Sequence, residues 1–176
     1  MILKPFKGKT PKIDSTSWIA ENAVIIGDVE IGPNVNIWYN VVIRGDVNYI
    51  RIGEGTNIQD GTIVHAETVQ GPCLIGSHVT IGHRAIVHGC TIEDDVLIGM
   101  GSVILSYSKI GSGSVIAAGA VVKEHEVVPQ RTVMAGVPAK PRGPVTEEMF
   151  TRIKLNAEHY LELAEEYQKS MNSPKP

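Results

Sequence analysis

Aliphatic residues return every sixth position along most of this chain. The series runs Ile13, Ile19, Ile25, Ile31, Ile37 and Ile43. It resumes after three extra residues at Ile52, Ile58 and Val64, and after a five-residue insertion at Ile75, Ile81 and Val87. One residue is then missing, and Ile92, Ile98, Ile104, Ile110, Ile116 and Val122 keep the spacing. The fifth position of each hexad is small or β-branched, from Ser17, Ala23 and Val29 through Val47, Thr68 and Thr91 to Ser114 and Ala120. Glu126 is the first to break that rule, so the regular repeat is expected to end near it. A period of six suits no α-helix, whose apolar positions recur at about 3.6. It suits a solenoid in which each hexad supplies one short strand and a corner, with the aliphatic and the small residue both turned inward.

Hexapeptide repeats of this type resemble the left-handed parallel β-helix family, in which three hexads complete one triangular coil. The resemblance implies a mainly β fold, a left-handed parallel β-helix of hexapeptide repeats with a C-terminal α-helix. The left hand comes from the resemblance, because parallel crossovers in general favour the right. Residues 1–141 are expected to form the β-helix domain, and 142–176 a linker and a helix packed on it. "GVPAKPRGPV" reads as the Pro/Gly linker. Thr146 is a plausible N-cap, with Glu147 and Glu148 well placed for the first-turn dipole. Met149, Ile153, Ala157, Tyr160, Ala164 and Tyr167 form one apolar stripe, expected to cover the flank of the solenoid or a neighbouring chain. The closing "SMNSPKP" is expected to fray.

Composition narrows the function. Glycine is 18 of 176 residues and phenylalanine only 2, which agrees with many narrow β-branched strands. A net charge of −3 without any basic run argues against nucleic acid as the partner. The opening "MILKPFKGKTPKID" holds no long apolar stretch, so neither a signal peptide nor a membrane span is expected. Two cysteines, Cys73 and Cys90, make no disulfide framework, and a reduced, cytoplasmic setting follows as the expectation. Cys90 reads as a small packing residue.

The candidate chemistry lies in "TIGHRAIVHGC", residues 80–90, where two histidines stand five apart. If three hexads make a coil, the hexads of Ile43, Val64, Val87 and Ile104 stack on one face at the interstrand spacing of about 4.8 Å. Their second positions are Arg44, His65, His88 and Leu105, so His65 lies directly beside His88 despite 23 residues between them. That spacing suits two ligands of one metal ion. His83 falls on the preceding face, round a corner, above Asp60. Around a threefold axis, one chain's His65/His88 face meets the next chain's His83 face, and Asp60 is aimed at the neighbour's Arg44.

The runs "RGD" at 44–46, "NIQDGTIVH" at 57–65 and "IGHRAIVHG" at 81–89 resemble the γ-class carbonic anhydrases over nearly the whole chain. The resemblance implies a homotrimer with interfacial zinc, iron or cobalt, held by His65, His83 and His88. It implies reversible hydration of carbon dioxide to bicarbonate, with Gln59 orienting the reacting water. Arg44 and Asp46 would be structural or bicarbonate-positioning, Asp60 the arginine's partner, and Asn57 a residue lining the site. The proton-transfer glutamates of the founding members are missing. Val47 stands after the Arg-x-Asp aspartate, and the loop after the first histidine reads "VQGPC". Glu67 and Tyr107, at the fourth position of the histidine face, are candidate substitutes as relays. Three other readings compete. "AGVPAK" at 135–140 also resembles the last coil of hexapeptide acyltransferases, a CoA thioesterase can use the same scaffold, and a trimer with weak or no catalysis is compatible with the missing acids.

Overall fold

The structure, a computed structural model, describes residues 1–172. The chain winds as a left-handed parallel β-helix of about seven turns with one C-terminal helix. Most strands are two or three residues long and pair in parallel with the strand one coil on. The inward aliphatics therefore stack as three columns. The first holds Ile13, Ile31, Ile52, Ile75, Ile92, Ile110 and Val128. The second holds Ile19, Ile37, Ile58, Ile81, Ile98, Ile116 and Met134. The third holds Ile25, Ile43, Val64, Val87, Ile104 and Val122. Burial of these columns is the main stabilising term, at roughly 1.5–3 kcal/mol for each large aliphatic side chain removed from water.

The structure corrects the repeat in two places. Val128 and Met134 are buried in the first and second columns, so the solenoid runs a further coil beyond Glu126. At the corner after the third face, the extra residues form outward bulges that take Val47 and Thr68 off the inward positions. Val47 is 42 % exposed, and Ile50 fills the core in its place. Cys73 does the same in the next coil, and Cys90 in the one after, where Thr91 is only half-buried. Ile50 pairs with Cys73, which shows that the register recovers at once.

Each face also presents an outward row, and the three rows differ in kind. The first begins with Lys12, Glu30 and Arg51, joined by Lys12–Glu30 (2.9 Å) and Arg51–Glu30 (3.2 Å) ion pairs. The second, with Trp18, Asn36, Asn57 and Thr80, lies under the helix. The third is an aliphatic ladder of Val24, Val42, Ile63, Ile86, Val103 and Val121. Ile63 and Ile86 in its middle are 39 % and 42 % exposed.

After a reversal, Lys140–Pro144 pairs antiparallel with Thr132–Ala135. The helix, α1 (Glu147–Asn172), starts at Thr146, whose hydroxyl accepts from the Met149 amide at 3.2 Å. Ile153, Ala157 and Ala164 of the apolar stripe are buried, and Tyr160 and Tyr167 pack edge-on against Trp38. This aromatic cluster, with Trp18 and Tyr39, fixes the helix on the second face. The first three residues of the tail expected to fray are helical, and 173–176 lie outside the described residues. No helix among the described residues is long and apolar enough to cross a membrane.

Candidate metal centre

Arg44, His65 and His88 are opposite partners on three successive parallel strands of the third face. His65 Nδ1 and His88 Nε2 face each other at 3.0 Å. Behind His65, Nε2 lies 3.0 Å from Asp46 Oδ1, and Arg44 grips the other oxygen of the same carboxylate. Burial would raise the Asp46 pKa, but hydrogen bonds from Arg44 and then His65 outweigh it and hold the group below its usual range. Asp46 thus stays an anion and accepts a hydrogen bond from His65 Nε2–H, which turns Nδ1 towards His88.

His88 makes its second contact through Nδ1, 2.9 Å from the Ser106 hydroxyl. With both rings neutral, an ordinary hydrogen bond joins them: His88 Nε2–H can donate to the His65 Nδ1 lone pair while His88 Nδ1 accepts from the Ser106 hydroxyl. Burial, followed by the nearby His65, lowers the His88 pKa and favours the neutral ring. A cation held between the rings would take the place of that bridging proton. Two ligands of one tetrahedral ion lie roughly 3.3 Å apart, and the observed 3.0 Å needs only a small opening. The donor set fits a borderline metal such as zinc, iron or cobalt.

His83 sits on the second face, its Nδ1 2.9 Å from Asp60 Oδ2, so the carboxylate orients the ring and leaves Nε2 for an outside partner. Within the chain Arg44 and Asp60 are not partners: Arg44 pairs with Asp46, and Asp60 with His83. Among the described residues of one chain, no cluster of three or more His, Cys, Asp or Glu side chains is arranged to hold a metal.

Gln59 and His83 line a cavity of about 460 Å³ together with Thr80, Asn156 and Tyr160. Gln59 Nε2 donates to Asn57 Oδ1 (3.0 Å), and Asn57 Nδ2 donates to Thr80 Oγ1 (2.8 Å). This buried relay fixes the Gln59 amide and leaves its carbonyl oxygen as the uncommitted acceptor. The remaining two candidates, Tyr107 and Glu67, both make contacts around the loop after the first histidine. Tyr107 donates to the Val69 carbonyl (3.1 Å) and stacks on His125 at 4.9 Å, which tethers the loop after the first histidine. The Glu67 carboxylate accepts from the Thr68 amide (2.7 Å) and hydroxyl (2.9 Å), and these bonds hold its pKa low.

Sequence reasoning missed Ser106, Thr80, Asn156 and Tyr160. The coil stacking that paired His65 with His88 puts Ser106 one coil further on, so it was within reach. Tyr160 was read only as part of the helix stripe. Asn156, three and four residues from Ile153 and Tyr160, shares their side of the helix as its polar member.

Comparison with known proteins settles the family. The bacterial transferase hexapeptide (six repeats) family model matches residues 10–45 and 89–124. Over 162 residues the chain is 44 % identical to gamma carbonic anhydrase 2, mitochondrial, of Arabidopsis thaliana, covering 89 % of this chain but only 58 % of that protein. It is 47 % identical over 147 residues to a probable carbonic anhydrase of Methanocaldococcus jannaschii, covering 84 % of this chain and 92 % of the relative. The crystal structure of a hexapeptide transferase family protein from Anaplasma phagocytophilum superimposes with a TM-score of 0.91 at 44 % identity, covering 94 % of this chain and 98 % of that one. Fold and repeat define a hexapeptide-repeat protein. Within that class, the chain belongs to the γ-carbonic anhydrase family.

Proposed function

We propose that this chain is a metal-dependent lyase that reversibly hydrates carbon dioxide to bicarbonate, at sites shared between the subunits of a homotrimer. The observation that carries the reading is the convergence of two imidazole nitrogens, His65 Nδ1 and His88 Nε2, at 3.0 Å. One chain offers two ligands there, and His83 offers an oriented third that faces away from them. The exposed aliphatic ladder beside the histidines supports a neighbour against this face, since a contiguous apolar patch marks an interaction site. When bound, the metal supplies an acidified water near neutral pH.

The chain's own residues do the rest. Asp46 and Asp60 hold the His65 and His83 rings from behind. The Gln59 carbonyl oxygen, its amide fixed by Asn57 and Thr80, accepts a hydrogen bond from the reacting water and orients it. Arg44, in the same row as the two histidines, supplies a cation for the bicarbonate product. Asp46 draws its charge inward, so the arginine also anchors the site.

Neither an acid at 47 nor one in the 69–73 loop serves proton transfer. Turnover in dilute buffer is therefore limited by that step, and concentrated imidazole-type buffer raises kcat without changing kcat/KM. Metal analysis of the purified protein, with stopped-flow hydration of carbon dioxide in the zinc and anaerobic ferrous forms, tests the reading. Metal at one per chain with measurable hydration is expected. Protein that holds no metal and hydrates no carbon dioxide contradicts it.

A second reading is favoured by the cavity beside His83 and by the transferase name of the Anaplasma structure. About 460 Å³ exceeds what carbon dioxide needs and accommodates part of an acyl chain. Binding of acyl-CoA by metal-free protein favours that reading.

A further inference from the structure

The cavity that holds Gln59 and His83 continues past them along the helix. Asn156, Leu97 and Val115 line both that cavity and an outer one of about 560 Å³ beside α1. Asn156 stands at the junction, its Nδ2 3.5 Å from Thr80 Oγ1. His159, three residues on and so on the same side of the helix, lines the outer cavity and is exposed to solvent. Water takes about 30 Å³ per molecule, so the two joined spaces hold a file of it between Gln59 and His159.

A proton leaving the reacting water needs a base along that route, and few residues qualify. Among the described residues that line the two cavities, the titratable ones are His83, Arg152, His159 and Tyr160. His83 is held by Asp60 and assigned to the metal. Arg152 keeps its proton at any pH near neutrality. Burial, followed by Asp60, raises the Tyr160 pKa, so the phenol keeps its proton as well. His159 is left, and imidazole is the side chain suited to taking up and releasing a proton near neutral pH. Arg152 shares its cavity, Tyr160 meets its ring edge-on at 6.0 Å, and Glu158 and Glu162 are its acidic neighbours along α1. The solenoid wall opposite, Leu97 and Val115, carries no charge.

We propose that His159 is the proton-transfer residue of the site, a base on α1 that carries protons from the cavity beside Gln59 to solvent. The proposal rests on the hydration reading above. One proton of the reacting water passes through cavity water to a nitrogen of the neutral His159 ring, which becomes imidazolium. The imidazolium gives that proton to buffer and the ring returns to neutral. Water and carbon dioxide thus become bicarbonate and one proton delivered outside. A base at the far end of a file of water leaves proton transfer limiting in dilute buffer, and added buffer still raises kcat.

His159→Ala tests this on the full chain loaded with zinc. The position is exposed and alanine favours helix, so the fold should be kept. In dilute buffer kcat should fall by about tenfold or more, with kcat/KM unchanged. His159→Gln should behave alike, because it keeps polarity and bulk without the titrating nitrogen. Added 4-methylimidazole should restore kcat, and the variants should gain proportionally more from it than the wild type. In metal-free His159→Ala protein, the same base should shift the Leu97 methyl and Asn156 side-chain amide signals saturably, because it enters the outer cavity. A kcat unmoved by either substitution overturns the proposal. So does rescue without those shifts, since the base would then act elsewhere, and so does an equal loss in kcat and kcat/KM. Wild-type protein that hydrates no carbon dioxide at any buffer concentration defeats the hydration reading, and this proposal with it.

Discussion

The first and third faces of the solenoid share one interior and differ in what they show outward. Inside, both are columns of isoleucine and valine stacked at strand spacing. Outside, the first carries Lys12, Glu30 and Arg51 tied into exposed ion pairs, and the third carries six aliphatics flanked by Arg44, His65 and His88. Exposed pairs of the first kind contribute about 0–1 kcal/mol each and ask for nothing beyond water. An aliphatic ladder half open to solvent has no such neutral explanation. In a repeat fold the inward positions are committed to packing, and the outward rows are free to carry a task. The third face is the one we propose to carry it.

Substitutions can break that comparison, and the largest effect belongs to the ligands. His88→Ala should lower zinc affinity by about a hundredfold or more, read by chelator competition, because it removes one of three donors and leaves His65 Nδ1 unopposed. Ile86→Lys comes next. A charge placed in the proposed interface is costly to bury, so light scattering should show loss of the trimer towards the 19.0 kDa chain. Val127→Lys is its matched control. Val127 is an outward aliphatic of the first face, 67 % exposed, and its replacement should leave mass unchanged and stability within about 0.5 kcal/mol.

Smaller still is the effect of Val47→Glu. Because Val47 points outward, the new acid meets solvent and not the core, and it should raise kcat in dilute buffer several-fold while weakening the dependence on added imidazole. Stopped-flow rates at two buffer concentrations check this. The smallest effect lies on the first face. Burial would raise the Asp28 pKa, but Arg51 and then Lys9 outweigh it and set it below its ordinary value. A depressed carboxyl adds stability above its unfolded pKa and loses it as pH falls through the folded one. Asp28→Asn should therefore flatten the decline of Tm below about pH 4, by no more than roughly 1 kcal/mol for so exposed a pair.

Much of this was legible in the sequence because a solenoid turns spacing into position. Counting hexads was enough to put His65 beside His88 and His83 on another face above Asp60, since only integer register separates them. The count failed where residues were inserted. Val47 and Thr68 kept the rhythm on paper, but an insertion at a corner is absorbed as a bulge, and the first residue able to re-enter the core, Ile50 or Cys73, takes the inward place. The end of the repeat was misjudged for a related reason. Glu126 breaks the small-residue rule, yet Val128 and Met134 still satisfy the aliphatic one, and the aliphatic position contributes more burial. The Ser106–Glu67 contact was hidden because it joins residues 39 apart across an inserted loop, where spacing carries no register. Within one chain Arg44 pairs with Asp46 and Asp60 with His83, and the pairing of Asp60 with a neighbour's Arg44 belongs to the proposed interface.

The central claim is that His65 and His88 of one chain and His83 of another hold one ion. His83→Ala and His88→Ala should each lose bound metal. Unfolded together in equal amounts and refolded, the two variants form mixed trimers. Wherever a chain with intact His65 and His88 faces a chain with intact His83, the ligand set is whole. Random assortment makes that one interface in two for each contribution, so about a quarter of the sites should regain metal. Metal analysis of the refolded mixture near that fraction is the predicted result. Properly refolded trimers that regain none would show that the three histidines do not meet across the interface.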